Sequence, residues 1–167
     1  MSDEESSGFF EKIKKFMDKI FRIGEKEVVV LIDGPNTLRK INGKRVSLKD
    51  VIEEVKRIGR IRAAKAIITT DAPPSLVKAL QTSGFEIILA KEESIYVTLA
   101  VETVKAIYEY SPDAMVIVSR DSRCLPLVHK VKQRGIKAYV AGYDPGFSTA
   151  LKNAADDVIY LKLQGEE

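Results

Sequence analysis

The segment Val28-Val29-Val30-Leu31-Ile32 is an unbroken apolar run, four of its five residues β-branched. A strand with one wet face alternates apolar and polar residues. A continuous run suits a strand buried on both faces, as in a parallel sheet covered by helices. The run stops at Asp33-Gly34-Pro35-Asn36, a turn sequence. Similar segments recur at Ala66–Thr70, Phe85–Leu89, Ala114–Val118, Ile136–Val140 and Val158–Leu161. Between them lie helical signals. Leu48, Val51, Ile52, Val55 and Ile58 keep a helical period up to Gly59, a short helix spans Ser75 to Ser83 before Gly84, and another runs through Leu99, Val104 and Tyr108. The segment after Ser122 is a helix stopped by Gly135, and Ser148 can cap a last helix through Leu151 and Ala155. Strand and helix in strict alternation predict an α/β fold, a doubly wound, mostly parallel sheet with helices on both faces.

Such sheets hold ligands at the C-terminal ends of their strands. Asp33, Asp71 and Asp121 each stand just past a predicted strand. One such aspartate ordinarily caps the next turn or helix. If the strands carrying Asp33 and Asp121 lie side by side, their carboxylates repel by on the order of 4 kcal/mol at about 4 Å and an effective dielectric near 20. A cation between them relieves this, and Mg²⁺ or Mn²⁺ on oxygen ligands would suit a phosphodiester substrate. Asn36, in the same turn as Asp33, is a candidate to orient water or phosphate, with a plain turn role equally open.

Ahead of this domain, Phe9, Phe10, Ile13, Phe16, Met17, Ile20 and Phe21 recur at helical spacing with Lys12, Lys14, Lys15 and Lys19 opposite them, and Gly24 closes the pattern. The expected organisation is therefore a disordered tail over 1–7, an amphipathic basic helix over 8–24, the α/β domain over 25–163 and a short tail over 164–167. The helix suits docking on the domain, a homodimer contact or another protein partner; peripheral contact with an anionic membrane is the less favoured use. No apolar run approaches the roughly 20 residues that cross a bilayer. The acidic start is unlike a secretory signal, and one cysteine, Cys124, allows no internal disulfide, so a cytoplasmic location is expected.

Net charge is only +3, but residues 39–65 carry ten basic residues against three acidic ones, a local +7. Arg39, Lys40, Lys44 and Arg45 in that segment fit a phosphate-tracking surface for RNA, and a solvated helix face is the competing reading. Tyr108, Tyr110 and Tyr143 are available for base stacking without a spacing that singles them out. His129 has no partner pattern for nucleophilic catalysis, Cys124 suits a core position, and the glycines at 142 and 146 do not form a dinucleotide fingerprint, so no nucleotide cofactor is expected.

Leu31-Ile32-Asp33-Gly34-Pro35-Asn36, then Val118-Ser119-Arg120-Asp121-Ser122, Leu125-Pro126-Leu127-Val128, Gly135 and Leu151-Lys152-Asn153-Ala154-Ala155-Asp156 together resemble the NYN family of PIN-like domains. The resemblance implies a Rossmann-like PIN fold and a metal-dependent ribonuclease with Mg²⁺ or Mn²⁺ at Asp33 and Asp121. It adds Glu102, in Leu99-Ala100-Val101-Glu102, as a third metal ligand and catalytic acid alongside Asn36. Two departures follow from it: Arg120 and Arg123 replace a glycine and an aspartate of the family's Ser-Gly-Asp-x-Asp motif, and Tyr96 stands where another aspartate is frequent. Arg123 can pair with Asp33 or Asp121 in place of a metal, and both arginines join the RNA-binding set. The alternative is thus a catalytically impaired PIN-like module that binds RNA or a protein partner.

Overall fold

The computed structural model describes residues 3–165. In chain order its elements are α1 (Asp3–Ile23), β1 (Glu27–Asp33), α2 (Gly34–Thr37), β2 (Lys44–Val46), α3 (Leu48–Ile58), β3 (Arg60–Thr69), α4 (Pro74–Thr82), β4 (Glu86–Ala90), α5 (Ile95–Tyr110), β5 (Ala114–Val118), α6 (Leu125–Gln133), β6 (Lys137–Gly142), α7 (Thr149–Ala154), β7 (Asp157–Tyr160) and β8 (Leu163–Gly165). The apolar run is the middle of the sheet. Six parallel strands stand in the order β4-β3-β1-β5-β6-β7.

Because side chains alternate along a strand, β1 feeds two cores. Val29 and Leu31 join Met115 and Ile117 under α5, α6 and α7, packed on Leu99, Ile107, Val128 and Leu151. Val28, Val30 and Ile32 join Val116 and Val118 on the opposite face, against Val51, Val55 and Leu80 of α3 and α4. All five residues of the run have zero exposure. At about 1.5–3 kcal/mol per fully buried side chain, the run contributes on the order of 10 kcal/mol before chain entropy is subtracted.

The chain builds outward from β1 to β3 and β4, then returns to lay β5, β6 and β7 on the other side. This reversal falls between β1 and β5, where a crevice opens beyond the strand ends. Val28–Ile32 pairs in register with Ala114–Val118, so Asp33 and Ser119 leave the sheet side by side.

Several boundaries differ from the expected ones. β3 starts at Arg60, six residues earlier than the apolar signal, because Arg60 and Arg62 meet Glu27 on β1 through ion pairs of 2.7 and 3.8 Å. Charge pairing there replaces the apolar pattern. β2 and β8 form a separate antiparallel ribbon, with Arg45 opposite Gln164, so part of the expected C-terminal tail is ordered. Three-residue strands are too short for periodicity to reveal. Helix α1 reaches back to Asp3, since an acidic stretch of sequence at a helix N-terminus complements the helix dipole.

The apolar face of α1 does not lie on the domain. Phe9, Phe10, Ile13, Phe16, Met17 and Ile20 are between 41% and 67% exposed. Lys15, Lys19 and Phe21, expected on its two faces, have side chains outside the described residues, as do Met1, Ser2, Glu166 and Glu167 entirely. Among the described residues no helix is long and apolar enough to cross a membrane.

Candidate functional site

Asp33 ends β1 and caps the one-turn helix α2. Its Oδ1 accepts the Asn36 amide at 3.3 Å, so the capping role of a strand-end aspartate is realised. Pro35 fills the first helical turn, where its missing N–H costs nothing. Gly34 is required by a close approach: a Cβ there would sit 2.5 Å from the Ile67 carbonyl oxygen and 2.7 Å from Ile68 Cγ2. The second carboxylate oxygen of Asp33, Oδ2, accepts the Ser119 hydroxyl at 2.8 Å. Asp33 is fully buried, and burial pushes its carboxyl above the usual range, opposed by hydrogen bonds from Ser119, Asn36 and Tyr96 and assisted by the nearby charge of Asp121.

Ser119 joins the two strand ends. While its hydroxyl donates to Asp33, its oxygen accepts the Asp121 amide at 3.2 Å. Asp121 then caps a short 3₁₀ turn over Ser122–Cys124, accepting the Arg123 amide at 2.8 Å. The Arg123 guanidinium returns to the same carboxylate as a fork, Nε to Oδ1 at 3.0 Å and Nη2 to Oδ2 at 2.6 Å. Those bonds hold the Asp121 carboxyl down at about 2. Arg123 also lies 4.2 Å from the centre of the Tyr96 ring. The Tyr96 phenol is raised by burial and by the two neighbouring aspartates. The cation that two adjacent carboxylates call for is thus supplied by the chain itself.

Arg120 is used differently from expectation. Its backbone amide donates to Asn36 Oδ1 at 2.8 Å. Its guanidinium donates to the carbonyls of Pro145 at 2.6 Å and Asn36 at 3.1 Å, and it lies 4.1 Å from the centre of the Tyr143 ring. Arg120 therefore ties α2 to the loop after β6 while it also lines the cleft described below. Gly142 makes room, since a Cβ there would come within 3.0 Å of Arg120 Cγ and the Phe147 ring. Tyr143, expected to be available for stacking, is 2% exposed, and its hydroxyl donates to the Thr37 carbonyl at 3.2 Å. Asn36 spends its side-chain oxygen on Arg120, and its amide nitrogen is the donor left over for a ligand.

Glu102 does not join Asp33 and Asp121. It lies on α5 with its carboxylate 2.9 Å from Lys65 Nζ and 3.1 Å from Lys105 Nζ. Burial would raise this carboxyl, but the two lysines outweigh it and hold it below the usual range; Lys65 is held up in turn by Glu102 and Glu86 against its own burial. Asp71 is exposed and bonded locally to Thr69, which lowers its carboxyl. Among the described residues no three of His, Cys, Asp and Glu converge as metal ligands. With Asp33 occupied by Ser119 and Asn36, Asp121 by Arg123 and Glu102 by two lysines, the donor set does not fit a divalent cation.

A cleft of about 290 Å³ opens over this constellation, lined by Asp33, Asn36, Arg39, Tyr96, Arg120 and Arg123. A neighbouring cleft of about 510 Å³ shares Pro35 and Arg39 and adds Lys40 and Arg45 at its rim. The rest of the basic 39–65 segment is elsewhere. Lys44 is exposed on β2, Arg57 pairs with Glu54, and Arg60, Arg62 and Lys65 follow β3 away from its C-terminal end. A run along the sequence spreads over both ends of a sheet when a long strand passes through it. His129 is exposed on α6, while Cys124 is buried, its thiol pushed up to about 12 by burial. Ser119 and Tyr96 are the site residues that sequence reasoning undervalued. The signal for Ser119 was its place one residue past β5, opposite Asp33.

A family model described as "NYN domain" matches residues 27–162. An uncharacterized protein of Methanocaldococcus jannaschii is 35% identical over 162 residues, covering 97% of this chain and 62% of that protein, so the chain spans less than two thirds of its relative. A crystal structure of a protein of unknown function from Vibrio parahaemolyticus superposes with a TM-score of 0.72 at 19% identity, covering 81% of this chain and 93% of that one.

Proposed function

The chain belongs to the NYN domain family, whose domains are PIN-like, and we propose that this member holds RNA by its phosphates without metal-dependent cleavage. The observation that carries this reading is the fork of Arg123 on both oxygens of Asp121. An arginine in that position neutralises a carboxylate otherwise available to a divalent ion and raises the cost of bringing one in. It also places a guanidinium at the mouth of the cleft with its side chain 67% exposed. Guanidinium geometry suits a phosphate as well as a carboxylate, so Arg123 can exchange one for the other. Arg39, on the wall shared by the two clefts, supplies a second charge, and the Asn36 amide nitrogen a neutral donor. Contacts of this kind read backbone and not sequence.

The full-chain protein, incubated with labelled single-stranded RNA in EDTA and separately in Mn²⁺, separates the readings. Retained binding in EDTA that weakens steeply with salt, with RNA intact in Mn²⁺, supports this one. Cleavage that requires Mn²⁺ and disappears in Asp33→Asn refutes it and establishes the ribonuclease that the family resemblance implies. No RNA binding at low salt removes both readings.

A further inference from the structure

Among the described residues, two helices carry apolar faces on which no other element packs, apart from the Arg134 guanidinium 5.1 Å from the centre of the Tyr108 ring. On α1, Phe9, Ile13, Phe16 and Ile20 step by four, three and four residues, and all are exposed. On α5, Val97, Val101, Val104 and Tyr108 step by the same four, three and four, at 66%, 52%, 39% and 59% exposure. Residues so spaced form one stripe along a helix. The inner face of α5 already carries the sheet through Leu99, Ala106 and Ile107, so this helix is apolar on both sides. A helix of that kind is normally buried on both.

The two stripes match in length and spacing, and the series four, three, four is the same read from either end. We infer that α1 of one copy seats on the α5 stripe of a second copy, reciprocally, giving a two-fold dimer. The structure favours the second copy because α1 stands clear of its own domain, its apolar side chains in solvent. A reciprocal exchange about a two-fold axis closes without leaving a stripe free to propagate. An anionic membrane would cover α1 yet leave the α5 stripe in water, whereas a second copy covers both.

The area is adequate. From aromatic side chains of about 150–250 Å², Phe9, Phe10, Phe16 and Tyr108 expose on the order of 400–500 Å² per copy. With the exposed Ile, Met and Val residues of the two stripes the total reaches the order of 800 Å² per partner that stable dimers bury. The inference is independent of the RNA reading, since neither stripe lines the Asp33 cleft.

Sedimentation equilibrium on the full chain, together with Phe16→Glu and Val101→Glu, reads the assembly. A dimeric parent that each substitution turns into a folded monomer, with unchanged circular dichroism, is the expected result. Cross-linking assigns the geometry. Differently tagged Ile13→Cys or Phe16→Cys chains are mixed with Val101→Cys chains and oxidised; a disulfide joining the two tags is expected, while buried Cys124 stays unreactive. A monomeric parent, a dimer indifferent to both glutamates, or a disulfide within one doubly substituted chain would overturn the inference. So would a monomer that floats with anionic vesicles through α1.

Discussion

Two carboxylate–cation pairs lie on the α5 side of this sheet and do opposite things. Lys65 and Glu102 are 3% and 7% exposed, come from positions 37 residues apart, and meet at 2.9 Å between β3 and α5. Asp121 and Arg123 are two residues apart in one turn, and the arginine side chain is 67% exposed. Lys65 stands two residues before Ile67, the register partner of Asp33, about 7 Å below the level at which β1 ends, whereas Asp121 and Arg123 lie beyond the end of β5. Depth decides their roles. A charge that cannot reach water must keep its partner, which makes the lower pair a strut between strand and helix. A charge at the rim loses little when it lets go, which makes the upper pair exchangeable for a ligand.

The largest effect that would break this contrast belongs to the strut. Glu102→Leu leaves Lys65 buried with the mostly exposed Glu86 at 3.7 Å and the Tyr110 ring at 6.0 Å. Urea denaturation should show a loss of about 3 kcal/mol, and adding Lys65→Met should restore most of it. A loss below about 1 kcal/mol would place the lower pair in the same class as the upper one. Next is Arg120→Ala, which removes two carbonyl bonds and the contact with Tyr143. Thermal and urea unfolding should report about 2 kcal/mol. An unchanged stability would make Arg120 a ligand-facing residue after all.

Arg123→Ala sharpens the comparison from the other side. Stability should stay within about 0.5 kcal/mol of the parent, while RNA binding weakens about tenfold and the salt dependence falls by about one phosphate contact. Equal losses in both would mean that the rim pair is structural. The smallest effect is in titration. Asp121 in the folded chain sits at about 2, below its ordinary value of 3.8, so the unfolded chain takes up the proton first as pH falls. Its stabilising contribution is therefore present above about pH 4 and is lost between pH 4 and 2. A carboxyl-carbon NMR titration should place the midpoint near 2 and move it upward in Arg123→Ala; a midpoint that ignores the substitution contradicts the fork.

How much of this was legible in the sequence follows the same division. Parallel strands buried on both faces announce themselves as apolar runs, so β1, β5 and the helices between strands were readable, and so was the meeting of Asp33 with Asp121. Glu102 was not. A motif carried over from relatives names a position, but Lys65 captures that carboxylate, and nothing in the local sequence of β3 says that its lysine points inward under α5. The structural ties of Arg120 were not legible for a related reason: its partners Pro145 and Tyr143 lie in a loop more than twenty residues away. Arg123 and Tyr96 were legible as departures from a family pattern, and the structure turns those two departures into one stacked unit.

The central claim is that Arg123 occupies the place of a cation, and direct Mn²⁺ binding tests it. Electron paramagnetic resonance titration of the parent should find no specific site, while Arg123→Asp, which returns an acid beside Asp33 and Asp121, should acquire one. A specific Mn²⁺ site in the parent, abolished by Asp33→Asn, would contradict the account.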